Sequence, residues 1–264
     1  MLEYFESVRD FSGKNVPVLG GAGLLGSAVS AALASQNATP IIVDQNRELG
    51  EELSAEINSE GGSSAFLEMD LSRPEKLIEV VGQIEDTFGW SKGWVNTFYP
   101  RTEDWNTKLE NQSLLSWRKN VDMHLNGMCV CSSEVARRMA ERDGGSIVNI
   151  GSIYGVVAPN FSNYIGTDDT SPAAYSAIKG GISAYSKYLA SYYGSRKVRV
   201  NTVLPGGICN KQADSFVQRY SEKTALQRLG EAREIASAVV FLLSDAASYI
   251  TGVDMPVDGG FLAL

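Results

Sequence analysis

The sequence predicts a single α/β domain built on a doubly wound, seven-stranded parallel sheet with helices on both faces. Three observations predict it. Short β-rich runs alternate with longer helical patterns, which is how βαβ units around a parallel sheet read. The first run leads directly into a glycine-rich turn that opens a helix. No repeat, low-complexity tract or linker interrupts the alternation over 264 residues, so a second domain has nowhere to begin.

Strands are expected at 16–19, 39–43, 64–68, 93–96, 146–150, 198–204 and 254–257, where aliphatic and β-branched residues form short runs bounded by Gly, Asn, Asp or Ser. Helices are expected at 24–36, 47–59, 74–88, 114–142, 171–193 and 232–244, several of them with apolar residues three and four apart. Residues 1–13 read as an N-terminal extension. The irregular stretches 97–111, 156–170 and 206–214 each follow the carboxyl end of a strand, where open α/β sheets hold their ligands. Pro17 conflicts with a central first strand, because proline cannot donate to a ladder, and it is expected at the strand start.

A composition of 44% hydrophobic and 20% charged residues is that of an ordinary globular chain. The net charge of −8 sets it against nucleic acid and anionic membranes, and no basic patch offsets that. The first residues carry Glu3, Glu6 and Asp10 rather than an apolar signal core, and no apolar run is long enough to span a bilayer, so a cytoplasmic location is expected. Cys129, Cys131 and Cys209 have no metal-ligand spacing and are expected to be reduced and structural; no metal is expected.

The turn after the first strand reads Gly20-Gly21-Ala22-Gly23-Leu24-Leu25-Gly26. Glycines at that spacing permit a tight turn, and they let backbone N–H groups and the positive helix end approach a pyrophosphate. Asp44 ends the second strand at about the distance where an acidic residue meets the adenosine ribose. Its carboxylate accepts from ribose hydroxyls and repels a 2′-phosphate, so NAD is favoured over NADP. Asp70, closing the third strand, is expected near the adenine.

Tyr175 and Lys179 are four residues apart at the start of a helix and therefore share a face. A free phenol has a pKa near 10, and a neighbouring Lys179 cation and an oxidised nicotinamide are both expected to lower it into a range useful for proton transfer. Upstream, the strand ending at Ile150 runs into Gly151-Ser152, whose hydroxyl can hold a substrate carbonyl beside the tyrosine. Downstream, a strand ends in Pro205-Gly206-Gly207-Ile208.

In this order, together with Val95-Asn96 and the tail Tyr249-Ile250-Thr251-Gly252 to Val257-Asp258-Gly259-Gly260, these motifs resemble the short-chain dehydrogenase/reductase family from about Lys14 to the end. The resemblance implies a Rossmann-type fold and hydride exchange between a nicotinamide and a secondary alcohol or ketone. It makes Tyr175 the general acid/base, Lys179 its electrostatic partner and Ser152 the holder of the substrate oxygen. Gly20, Gly23, Leu25, Gly26, Asp44, Asp70, Leu71, Asn96, Pro205, Gly206 and Ile208 then fall where the family meets the cofactor, along with Tyr175 and Lys179. It also implies a homodimer or homotetramer with a small-molecule substrate.

Four departures from the family pattern stand out. Leu19 replaces the threonine usual before the turn, and Thr97-Phe98-Tyr99 follows Asn96 where the family tends to have Asn-Ala-Gly; both are expected to reduce rigidity beneath the cofactor. His124, the only histidine in the chain, stands where the family carries a catalytic asparagine, and it is expected to relay protons and to titrate near neutrality. The stretch from Ser152 to Tyr175 is longer than the family usually has, which makes 156–170 an insertion at the mouth of the site.

The polar and aromatic content of that insertion suits a hydroxyl-rich sugar, with Tyr154 and Tyr164 as substrate contacts and Arg101 of Tyr99-Pro100-Arg101-Thr102 as a cation for an anionic substituent. The insertion and Tyr-Pro-Arg-Thr together resemble a branch of the family associated with bacterial nonulosonic acids of the legionaminic type. Two alternatives stay open: a reductase of non-sugar ketones of the 3-oxoacyl type, and a non-catalytic cofactor-binding subunit of a partner enzyme.

Overall fold

A computed structural model describes residues 10–167 and 169–264; residues 1–9 of the expected N-terminal extension and Asp168 of the expected insertion lie outside the described residues. Seven strands form one parallel sheet in the order β3-β2-β1-β4-β5-β6-β7. They are β1 (Asn15–Leu19), β2 (Thr39–Asp44), β3 (Ala65–Glu68), β4 (Gly93–Asn96), β5 (Gly145–Ile150), β6 (Val198–Pro205) and β7 (Asp254–Val257). Each lies within a residue of its expected place.

The covering helices are α1 (Leu24–Ala34), α2 (Arg47–Ser59), α3 (Leu77–Phe88), α4 (Leu114–Asn120), α5 (Gly127–Ala140), α6 (Ala173–Tyr193), α7 (Asp214–Ser221) and α8 (Ala232–Leu243). Successive strand residues point to opposite faces, so each central strand serves two cores. Val16 and Val18 of β1 join Val29 and Leu33 of α1 and Val239 of α8. Leu19 joins Leu77 and Ile84 of α3, Met128 of α5 and Ile178 of α6.

The structure corrects three expectations. The helix expected over 114–142 is interrupted by a π-helical segment, Val121–Asn126, between α4 and α5. Helix α7 was not anticipated; Phe216, Val217 and Tyr220, spaced for one helix face, pack against Leu229 and Phe261. Pro17 is not at the strand start but in its middle. The Leu19 carbonyl accepts from Thr97 N, so Pro17, two residues earlier, would owe an N–H to the Gly93 carbonyl of β4. The Ser91 hydroxyl stands in for that missing donor, 2.6 Å from Gly93 O and 2.5 Å from Asn15 O.

The chain builds β1, β2 and β3 outward in one direction and then returns to place β4 on the other side of β1. At such a reversal the loops leaving the two strands diverge and open a crevice at their carboxyl ends.

Candidate active site

A groove of about 920 Å³ crosses this switch point. At one end it is bordered by the glycine turn, Leu25, Asp44 and Leu71, and at the other by Tyr175, Lys179, Pro205, Gly206 and Ile208. Gly20 has φ +78°, and a Cβ there would lie 2.6 Å from the Phe98 backbone; a Cβ on Gly26 would lie 2.1 Å from Gly20 O. Only glycine lets the turn, α1 and the β4 loop pack so closely. Gly23 begins α1 without a side-chain cap, which leaves the first-turn N–H groups free for an anion. The Asp44 carboxylate accepts Ala22 N–H and Asn46 N–H, both at 3.1 Å, and retains lone pairs for further donors. These residues fit a dinucleotide.

Two expected cofactor contacts are placed differently. Asn96 is fully buried, and its side chain bonds Asn149 Oδ1 at 2.8 Å, Ser132 Oγ at 3.1 Å and Trp94 Nε1 at 3.0 Å. Asn149 passes the network on to Ser186 of α6 at 3.0 Å. Asn96 thus ties β4 to β5, α5 and α6, and its side chain does not face the groove. Asp70 is exposed and borders an adjoining depression with Arg73 and Lys76, while its neighbours Met69 and Leu71 border the groove. The hydrogen bond from Ser72 holds the Asp70 carboxyl below its usual range. The Thr97 hydroxyl donates toward Leu19 O at 2.8 Å and Gly20 O at 3.0 Å, so it clamps the glycine turn to β4.

The catalytic candidates converge where the groove meets a second chamber. Ser152 follows the end of β5, and its Oγ accepts Tyr154 N–H at 3.1 Å, which leaves its own proton free to donate. Tyr175 and Lys179 project from the first turns of α6. Lys179 is buried, its Nζ donates to Ile150 O at 2.8 Å, and it lies 5.7 Å from the centroid of the Tyr175 ring. Burial raises the Tyr175 phenol above its usual pKa of 10, with the Ser152 hydrogen bond acting against it. Burial also pulls Lys179 down to about 7. The expectation that the lysine charge lowers the phenol is therefore corrected. Desolvation dominates both groups and favours their neutral forms.

His124 sits in the π-helical segment, fully buried, with Nε2 3.4 Å from Lys179 Nζ and its ring edge-on to Tyr99 at 5.0 Å. π-Helical insertions recur at functional sites because they turn one side chain off the helical register. Burial, and secondarily the Lys179 charge, hold His124 well below the usual 6.5, so the expected titration near neutrality does not occur. A neutral ring accepts from Lys179 through Nε2 and carries its proton on Nδ1, which has no hydrogen-bond partner among the described residues.

The depressed pKa fixes a sign. The unfolded chain binds the histidine proton first, so this contribution to stability is complete above about pH 6.5 and is lost as pH falls toward the folded value. The loss runs at up to about 1.4 kcal/mol per pH unit. His124→Asn should flatten the fall in urea midpoint between pH 7.5 and 5.5; an unchanged fall would show that His124 is not held neutral.

The second chamber, of about 260 Å³, adjoins Ser152 and Tyr175 and has largely aromatic walls. Tyr154, Tyr164 and Arg101, the expected substrate contacts, all border it. The insertion that carries Tyr164 is docked on α7. Tyr164 packs on Phe216 at 5.3 Å, Lys223 Nζ donates to Ser162 Oγ at 2.8 Å and Asn163 Oδ1 at 2.5 Å, and Arg219 donates to Ile165 O. Trp105, Phe216 and Tyr220 complete the wall and were not expected from the sequence. The cysteines form no cluster, and burial pushes Cys129 and Cys131 up to about 12.

Comparison with known proteins agrees with this geometry. Residues 21–262 match the family model described as enoyl-(acyl carrier protein) reductase. The chain is 31% identical over 250 residues to post-translational flagellin modification protein A of Campylobacter coli, covering 94% of this chain and 98% of that protein. It is also 31% identical over 258 residues to the 2,5-dichloro-2,5-cyclohexadiene-1,4-diol dehydrogenase LinX of Sphingobium indicum, covering 95% and 96%. Among solved structures, gox2181 superposes with a TM-score of 0.89 at 28% identity, over 98% of this chain and all of that one. The chain belongs to the short-chain dehydrogenase/reductase family, an oxidoreductase family that uses nicotinamide cofactors.

Proposed function

We propose that this protein is an NAD-dependent dehydrogenase or reductase of a secondary alcohol or ketone on a sugar or sugar derivative. The observation that carries the reading is the convergence of Ser152, Tyr175 and Lys179 at the one place where the groove and the aromatic chamber meet. A nicotinamide held there would supply or accept the hydride. Ser152 Oγ donates its free proton to the substrate oxygen and orients the carbon. Tyr175 Oη holds the proton that passes to that oxygen in reduction and returns in oxidation. Burial keeps the phenol protonated, the form reduction requires. Lys179 acts on Tyr175 across 5.7 Å, and neutral His124 holds the lysine from the other side.

Asp44 supports NAD over NADP. The sugar reading rests on the polar and aromatic chamber, and the similarity to a flagellin modification protein favours the nonulosonic-acid branch. Assembly into a homodimer or homotetramer through α5 and α6 belongs to the same reading, supported by the exposed, stacked Tyr188 and Tyr192. So does a cytoplasmic location, which the three free cysteines fit. No helix among the described residues is long and apolar enough to cross a membrane.

Calorimetric titration with NADH and, separately, NADPH tests the reading. Preferential NADH binding is expected. Absence of binding by either would overturn it in favour of a subunit that supports a partner enzyme.

A further inference from the structure

The chamber beside Tyr175 has an uneven distribution of charge. Its walls are aromatic and hydroxylic, and no carboxylate borders it among the described residues, although the chain as a whole carries −8. Among the described residues, the single charged side chain on its border is Arg101. Its guanidinium rests 5.5 Å above the Tyr99 ring, makes no ion pair among the described residues, and borders both chamber and groove. Asp169 of the insertion acts on Tyr164 but does not itself border the chamber.

Polar groups also reach this chamber. The Ser152 hydroxyl, the side chains of Asn106, Thr170, Ser171 and Gln212 and the Tyr164 ring border it, while the Tyr154 hydroxyl lies buried behind the wall beside Asn163 and Tyr164.

The walls also limit shape. Tyr99, Trp105 and Tyr175 meet edge to face with centroids 5.7 to 6.4 Å apart. The roughly 260 Å³ they border equals roughly nine water volumes, enough for one six-membered ring with small substituents. Aromatic faces suit the C–H faces of such a ring.

We propose that the substrate is a ring-shaped secondary alcohol or ketone bearing an anionic substituent, a carboxylate or a phosphate, and that Arg101 is the residue that selects the anion. The proposal rests on the oxidoreductase reading above and deepens it. The guanidinium presents paired donors that match either oxyanion, and its aromatic seat limits the freedom lost on binding.

The test uses the full chain saturated with NADH, titrated with ring compounds matched except for charge. Glucuronate and glucose 6-phosphate are each compared with glucose, and 3-hydroxycyclohexane-1-carboxylate is compared with 3-(hydroxymethyl)cyclohexan-1-ol. At least one anionic member is expected to bind roughly ten- to a hundredfold more tightly than its neutral partner. The carboxylate and phosphate arms show which oxyanion is preferred.

Arg101→Gln, at an exposed position, should erase that ratio and leave NADH affinity within about twofold. The proposal is overturned if no anion is preferred, if the preference survives in Arg101→Gln, or if the variant loses NADH affinity instead, which would assign the guanidinium to the cofactor. Failure of the wild type to bind NADH would bring down the underlying reading and this proposal with it, and that result is visible before any ring compound is added.

Discussion

Tyr175→Phe is expected to lower turnover about 10³-fold while changing NADH affinity by less than about twofold. On the proposed mechanism the phenol exchanges a proton with an oxygen held by Ser152, so its removal takes away the acid and little else. The ring itself stays, still packed edge-on against Tyr99 and Trp105, which keeps the chamber wall and the fold intact. Steady-state turnover combined with calorimetry makes the measurement. Equal loss of turnover and cofactor binding would mean that the phenol is structural. Unchanged turnover would mean that another group moves the proton.

Asp44→Ala is expected to weaken NADH binding roughly ten- to a hundredfold and to narrow or reverse the preference over NADPH. The carboxylate would accept from ribose hydroxyls, and its charge opposes a 2′-phosphate. Because Asp44 also holds Ala22 N–H and Asn46 N–H, the alanine variant could fail through the turn itself. Asp44→Asn guards against that, since the amide oxygen can keep one of these bonds while the charge disappears. Both variants should gain NADPH affinity relative to NADH. If the NADH to NADPH ratio is unchanged in both, Asp44 does not select the cofactor.

The two predictions differ in what made them visible. Tyr175, Lys179 and Ser152 are legible because a helix repeats its face every three to four residues and a strand ends at a defined edge, so local spacing fixes where their side chains go. The strands are legible for a related reason. Val16, Val18, Val95, Val148 and Val203 are buried between two helix layers and read as continuous apolar runs. Asn96 shows the limit of that reasoning. Its position at the end of β4 was correct, but its partners Ser132, Asn149 and Trp94 come from three different elements, and they draw the side chain inward.

His124 illustrates the same limit from the side of charge. Residue type suggests a titrating group near neutrality, whereas complete burial beside Lys179 holds it neutral. The π-helical segment that turns it toward the lysine leaves no mark in the apolar periodicity, because one extra residue per turn shifts the helix face by less than the width of its apolar stripe.

By itself, the sequence determined the order of the strands and of most of the helices, the glycine turn, and the pairing of Tyr175 with Lys179, since each depends on neighbours a few residues away. Only the tertiary structure brought together the aromatic chamber, where Tyr99, Arg101, Trp105, Tyr154, Tyr164 and Phe216 meet from four separated stretches of chain. It also decided the protonation of His124 and Lys179. Both depend on which surfaces exclude water, and desolvation is set by the packing of distant segments that no local pattern encodes.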